Sequence, residues 1–144
     1  MKGILLLSHG ELAQGLMNSV SFFFGNDIEQ LKALTLKKDD DASKFGERIK
    51  EAVEEINTGD GVVIFVDLFG GTPCNQSAYV LDEGIEIVTG LNLPLLMECL
   101  VMRTQDDFNV DELVSRGKES ISNYGSLLRQ KRDERRKRRA KREE

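Results

Sequence analysis

The sequence predicts an α/β protein: a doubly wound, mainly parallel four-stranded sheet in the flavodoxin-like order 2-1-3-4, with helices on both faces. Short apolar runs of strand length alternate with stretches of helical spacing, and the connections between them are short. The run Val62 to Val66 is also continuously apolar and rich in β-branched residues, as a central parallel strand covered on both faces requires.

In chain order, Ile4 to Leu7 is a buried strand. After it, Leu12, Leu16, Val20 and Phe23 or Phe24 fall at steps of three or four, the spacing of one helix face, and Gly25-Asn26 ends the helix. Residues 28–36 read as a second strand. Asp39 to Asp41 cap and electrostatically favour the next helix, whose apolar stripe is Phe45, Ile49, Val53 and Ile56. Thr58 to Gly61 closes it. The third strand, Val62 to Val66, ends at Asp67, and Leu68 to Pro73 form a loop. Pro73 suits the first turn of a helix reaching to about Leu81, because its missing N–H is not needed there. Ile85 to Thr89 is the fourth strand and Gly90 with Asn92 makes a turn. Pro94 then opens a helix so apolar, from Leu95 to Met102, that it is buried or lies at an interface. A further helix is expected from about Asp111, with Leu113, Gly117 and Ile121 facing inward.

A chain of 144 residues suits one domain. The opening residues lack the layout of a secretory signal, and no apolar run approaches the roughly 20 residues of a membrane helix. A cytoplasmic location is therefore expected. Cys74 and Cys99 match no metal or redox spacing and read as reduced, core-filling thiols.

The net charge of −5 conceals an asymmetry: residues 129–144 carry ten Lys or Arg against four Asp or Glu, while the first 128 residues are acidic. A basic run of this kind binds nucleic acid, an anionic membrane surface or an acidic partner, or is simply a solvated helical extension or frayed terminus. Its lack of aromatic residues gives nucleic acid little support.

Chemistry concentrates at Ser8-His9-Gly10-Glu11. His9 is the single histidine of the chain and stands at a strand-to-helix junction. In a 2-1-3-4 sheet the first and third strands are neighbours, and the crevice at their carboxyl ends is where ligands collect. His9 and Asp67 stand at those two ends. Asp67 can accept a hydrogen bond from one ring nitrogen, leaving the other as nucleophile or base. The backbone around Gly70, Gly71 and Thr72, with the helix start at Pro73, forms an anion cradle to which the Ser8 and Thr72 hydroxyls add donors. A nucleophilic nitrogen facing an anion cradle describes phosphoryl transfer through phosphohistidine.

Each feature alone has a plainer reading. Isolated histidines are more often structural, an acid at a strand end often caps the following loop, and paired glycines usually mark a tight turn. Rival chemistries lack their parts. Histidine phosphatases and mutases need a second histidine, and zinc needs ligands that no cysteine cluster supplies. No nucleotide-cofactor motif is present, so no cofactor is expected. A receiver domain phosphorylated on Asp67 would want an acidic pair where Ser8-His9 stands.

Three stretches carry a family resemblance: Leu7-Ser8-His9-Gly10, Val66-Asp67-Leu68-Phe69-Gly70-Gly71-Thr72-Pro73-Cys74-Asn75, and Gly90-Leu91-Asn92-Leu93-Pro94-Leu95-Leu96. They resemble the signatures of the mannose-family enzyme IIA of the bacterial phosphoenolpyruvate-dependent sugar phosphotransferase system, over residues 1 to about 124. The resemblance implies that His9 takes a phosphoryl group from the phosphocarrier HPr and passes it to a IIB protein acting with membrane IIC and IID components. It implies that Asp67 pairs with His9 and that Thr72 helps hold the phosphoryl group. It makes residues 1–124 the IIA domain, residues 125–144 a basic extension, and IIB a separate polypeptide. It further implies a homodimer built around an exchanged antiparallel strand near the C-terminus, in a region here too basic to read readily as a strand. A regulatory module that uses the same phosphorylated site to control a partner is the alternative.

Overall fold

The computed structural model describes residues 1–144. Four strands form one sheet: β1 (Gly3–His9), β2 (Leu31–Leu36), β3 (Val62–Val66) and β4 (Ile85–Thr89). Their order is β2-β1-β3-β4 and every pair is parallel, as expected. The helices are α1 (Leu12–Phe24), α2 (Ala42–Ile56), α3 (Gly71–Ser77), α4 (Leu93–Met102), α5 (Val110–Glu119) and α6 (Tyr124–Glu143), with a 3-10 turn at Ala78–Val80.

Alternation along β1 divides the core in two. Ile4 and Leu6 point into a cluster with Ala13, Leu16 and Val20 of α1, Leu95, Leu96 and Cys99 of α4, and Leu113 of α5. Leu5 and Leu7 point the other way, into Phe45, Ile49, Ala52 and Val53 of α2. By the same alternation Ser8 turns toward α1 and His9 toward the α2 and α3 side.

Caps fix most helix starts. The side chains of Asp41, Asn92, Asn109 and Asn123 accept from backbone N–H groups at the starts of α2, α4, α5 and α6. Close packing of α5 on α4 depends on Gly117, where a Cβ would stand 2.7 Å from Leu95 Cδ1. Below the sheet, the nearly buried Arg103 ends α4 and donates to the carbonyls of Glu29, Lys2 and Gln30, tying α4 to the entrances of β1 and β2.

Four details differ from expectation. Residues 28–30 are not strand, because Gln30 adopts a positive φ of 54° while its amide donates to the Met1 and Ile56 carbonyls. The helix at Pro73 begins two residues earlier and tightens to 3-10 geometry after Ser77, whose hydroxyl donates to the Cys74 carbonyl. On α1 the buried face is Ala13, Leu16 and Val20, leaving Leu12 and Phe23 exposed. Ile121 lies beyond the end of α5 and is exposed.

The region in which the resemblance implied an exchanged strand is instead helix α6. Residues 124–143 contain no Val, Ile or Thr and are dominated by Arg, Lys, Glu and Gln, all good helix formers, with Asn123 as cap. The outer edge of β4 consequently has no strand beside it.

Candidate functional site

The parallel register brings the carboxyl ends of β1 and β3 together. Leu7 pairs with Val66, and the Asp67 N–H donates to the Leu7 carbonyl at 3.1 Å. His9, the last residue of β1, and Asp67, the residue after β3, therefore meet at the carboxyl edge of the sheet. Asp67 Oδ2 accepts from His9 twice, from the backbone N–H at 2.9 Å and from ring Nδ1 at 2.8 Å. The other oxygen, Oδ1, accepts from the Leu68 N–H at 3.0 Å.

These contacts set the protonation pattern. Burial pushes the Asp67 carboxyl up, but the hydrogen bonds from the His9 backbone, the His9 ring and Leu68 outweigh it and hold the group below its ordinary value. An ionised carboxylate only accepts, so Nδ1 carries the proton. In the neutral ring Nε2 then keeps its lone pair. The Asp67 side chain is 8% exposed and that of His9 46%, so the carboxylate is covered and the ring open.

Gly71 lies against the open side of the ring. A Cβ there would stand 3.0 Å from both Cε1 and Nε2 of His9. Its φ of +77°, following +89° at Gly70, belongs to the left-handed region, so glycine suits both the backbone and the clearance. Gly70 is also the N-cap of α3, and no side chain caps that helix. Its first N–H groups lack intrahelical acceptors, and Thr72, half-buried, is its second residue.

Ser8 is placed differently from expectation. It is fully buried, its hydroxyl donates to the Gly10 carbonyl at 3.0 Å, and it accepts from the Ala13 N–H at 2.8 Å. Alternation along β1 sends it to the face opposite His9, where it pins the start of α1 and has no free proton for an anion. The structure thus brings His9, Asp67, Gly70, Gly71 and Thr72 together and leaves Ser8 out.

Apolar residues surround the pair in the chain. Leu12 is 50% exposed, Leu68 51% and Phe69 86%. The helical spacing assigned Leu12 to the core, and nothing marked Leu68 or Phe69; two apolar residues directly after a strand-end acid were the available signal. His9 lines none of the principal surface cavities. Its ring is open to solvent. No group of acidic, cysteine and histidine side chains is arranged to hold a metal ion, and no helix is long and apolar enough to cross a membrane. Both thiols are free: Cys99 is pushed up to about 12 by burial, against the opposing effect of Arg103.

His9, bonded to the covered carboxylate of Asp67, thus stands exposed at the carboxyl rim of a 2-1-3-4 parallel sheet. Residues 3–116 match the family described as PTS system fructose IIA component, and the chain belongs to this mannose-family group of IIA components. It is 30% identical over 105 residues to the PTS system fructose-specific EIIA component of Bacillus subtilis (strain 168), covering 72% of this chain and 71% of that one. Over 114 residues it is 29% identical to the PTS system mannose-specific EIIAB component of Escherichia coli (strain K12), covering 78% of this chain but only 35% of that longer protein. In three dimensions it is similar to the PTS IIA protein associated with the fucose utilization operon from Streptococcus pneumoniae. That similarity has a TM-score of 0.80 and 30% identity, over 88% of this chain and 96% of that one. Members of the family are phosphotransferase components.

Proposed function

We propose that the protein is a phosphoryl carrier: His9 Nε2 accepts a phosphoryl group from HPr and passes it to a IIB component, which acts with membrane IIC and IID components in sugar uptake. The observation that carries this reading is the bond from Nδ1 to Asp67, which leaves Nε2 as the nucleophilic nitrogen on an exposed ring. In the transfer, the Nε2 lone pair forms a bond to phosphorus, and the bond from phosphorus to the donor atom breaks with its electron pair leaving on the donor. The ring then carries positive charge, which the ionised Asp67 neutralises. Backbone N–H groups at Gly70, Gly71 and Thr72, with the Thr72 hydroxyl, receive the phosphoryl oxygens. The uncapped start of α3 beside Nε2 supports that role.

A protein donor fits the surface better than a small molecule. The exposed ring and its partner Asp67 are flanked along the chain by exposed Leu12, Leu68 and Phe69, residue types suited to the apolar centre of a transient protein contact. Residues 1–124 form the IIA domain and 125–144 a basic extension, the working form is a homodimer, and the site of action is the cytoplasm.

The test is incubation with phosphoenolpyruvate, enzyme I and HPr, followed by a IIB protein. The expected result is an acid-labile, base-stable phosphate on His9 that IIB removes. Label on the His9→Ala variant would overturn the assignment.

A further inference from the structure

Helix α6 carries charge far beyond what its stability needs, and it has no place in the carrier chemistry. None of its residues is buried. Ten of the sixteen residues from 129 to 144 are Lys or Arg. At about 100° per residue these charges are not spread evenly. Lys131, Arg132, Arg135, Arg136 and Arg139 line one shallow groove along the helix, and Leu128 opens it. Asp133 and Glu134 lie on the other side, together with Arg129 and Lys137. Tyr124, Leu128, Arg132, Arg135 and Arg139 follow one another at steps of three or four, so a single seam starts apolar and continues cationic. Its first two members are open to solvent, Tyr124 69% and Leu128 48% exposed.

We propose that α6 is an arm that lies on an anionic phospholipid surface. A flat sheet of headgroup phosphates is met from one side, which matches a helix with one face lined by five cations and with Asp133 and Glu134 turned away from it. Arginine dominates the seam, and its planar fork pairs bidentately with phosphate oxygens. The apolar start has a use there too, because Tyr124 and Leu128 enter the boundary between headgroups and acyl chains. A nucleic-acid duplex offers those two side chains nothing comparable, and beyond Tyr124 the helix has no aromatic residue to stack on bases. Pairing of two such arms is opposed by their like charge.

The acidic body does not prevent this docking. A helix of 20 residues is about 30 Å long, several times the screening length of about 8 Å at physiological salt. The body therefore stands off while the arm lies down. The arrangement would keep a phosphoryl carrier close to membrane-embedded partners, but the binding itself is measured without any phosphoryl transfer.

The experiment is flotation of the full chain with vesicles of phosphatidylcholine alone, and with vesicles in which part of the phosphatidylcholine is replaced by phosphatidylglycerol. Binding is expected only to the anionic vesicles and should be lost at high salt. The combined variant Arg132→Gln/Arg135→Gln/Arg136→Gln/Arg139→Gln keeps good helix formers and should weaken binding by about tenfold or more with helicity by circular dichroism unchanged. Leu128→Ala should weaken it by a smaller factor. Equal flotation with neutral vesicles would overturn the proposal. So would tighter binding to a DNA duplex than to anionic vesicles at the same salt, or arm-dependent self-association without flotation.

Discussion

Asp67 holds His9 by its backbone and its ring through a single oxygen: Oδ2 accepts from both the His9 N–H and Nδ1. The backbone bond fixes where the ring starts, and the side-chain bond fixes which nitrogen bears the proton. Asp67→Asn keeps one oxygen for the His9 bonds but presents no charge, and its amide donor would then face the Leu68 N–H. Phosphoryl uptake by His9 is expected to slow by about a hundredfold or more, with the fold retained. Rapid-quench kinetics with phosphorylated HPr provide the measurement, and unchanged rates would remove Asp67 from the mechanism.

The same residue predicts an acid-side dependence of stability. Its folded carboxyl titrates below the unfolded value of about 3.9. Its stabilisation is therefore present above that value and is lost as pH falls through the lower, folded one. Thermal melts across the acid range should show the native chain losing stability more steeply than Asp67→Asn, which has nothing to titrate at that position. Parallel curves would mean that these hydrogen bonds contribute no net stability.

Gly71→Ala should separate stability from transfer. The left-handed backbone makes a side chain cost about 1–2 kcal/mol, and the added methyl would crowd Nε2 directly. Melting should drop by a few degrees while phosphorylation of His9 falls to near background. A variant that accepts phosphate at the native rate would show that the ring turns away from Gly71 before reacting.

Ser8 and Thr72 should behave as opposites. Ser8→Ala removes the acceptor for the Ala13 N–H and should cost about 1 kcal/mol of stability, with transfer nearly intact. Thr72→Val should leave stability nearly unchanged and slow transfer. Chemical denaturation alongside labelling of both variants distinguishes the two roles.

Much of this arrangement was legible in the chain because strand ends are easy to find when strands are short and apolar. Val62 to Val66 stops at a carboxylate and Ile4 to Leu7 stops beside an imidazole, so parallel topology alone brings Asp67 to His9. Faces were harder to assign. Leu12 obeys helical spacing with Leu16 and Val20, yet as the first residue of α1 it is left half-exposed. Ser8 looked like a hydrogen-bond donor to the phosphoryl group because it adjoins His9, whereas the period of two along a strand sends neighbours to opposite sides. The C-terminal segment was obscured for a different reason: local helix propensity in residues 124–143 meets no buried packing to override it, while the strand expectation came from likeness alone.

That uncovered helix also governs how one copy of the protein behaves as an object in flow. A domain the size of the body has a radius of gyration of about 14 Å, and α6 adds a thin rod of about 30 Å. Frictional drag follows the longest dimension more than the mass. A single copy should leave a sizing column ahead of compact proteins of equal mass, counterfeiting a dimer by shape, whereas light scattering weighs it directly.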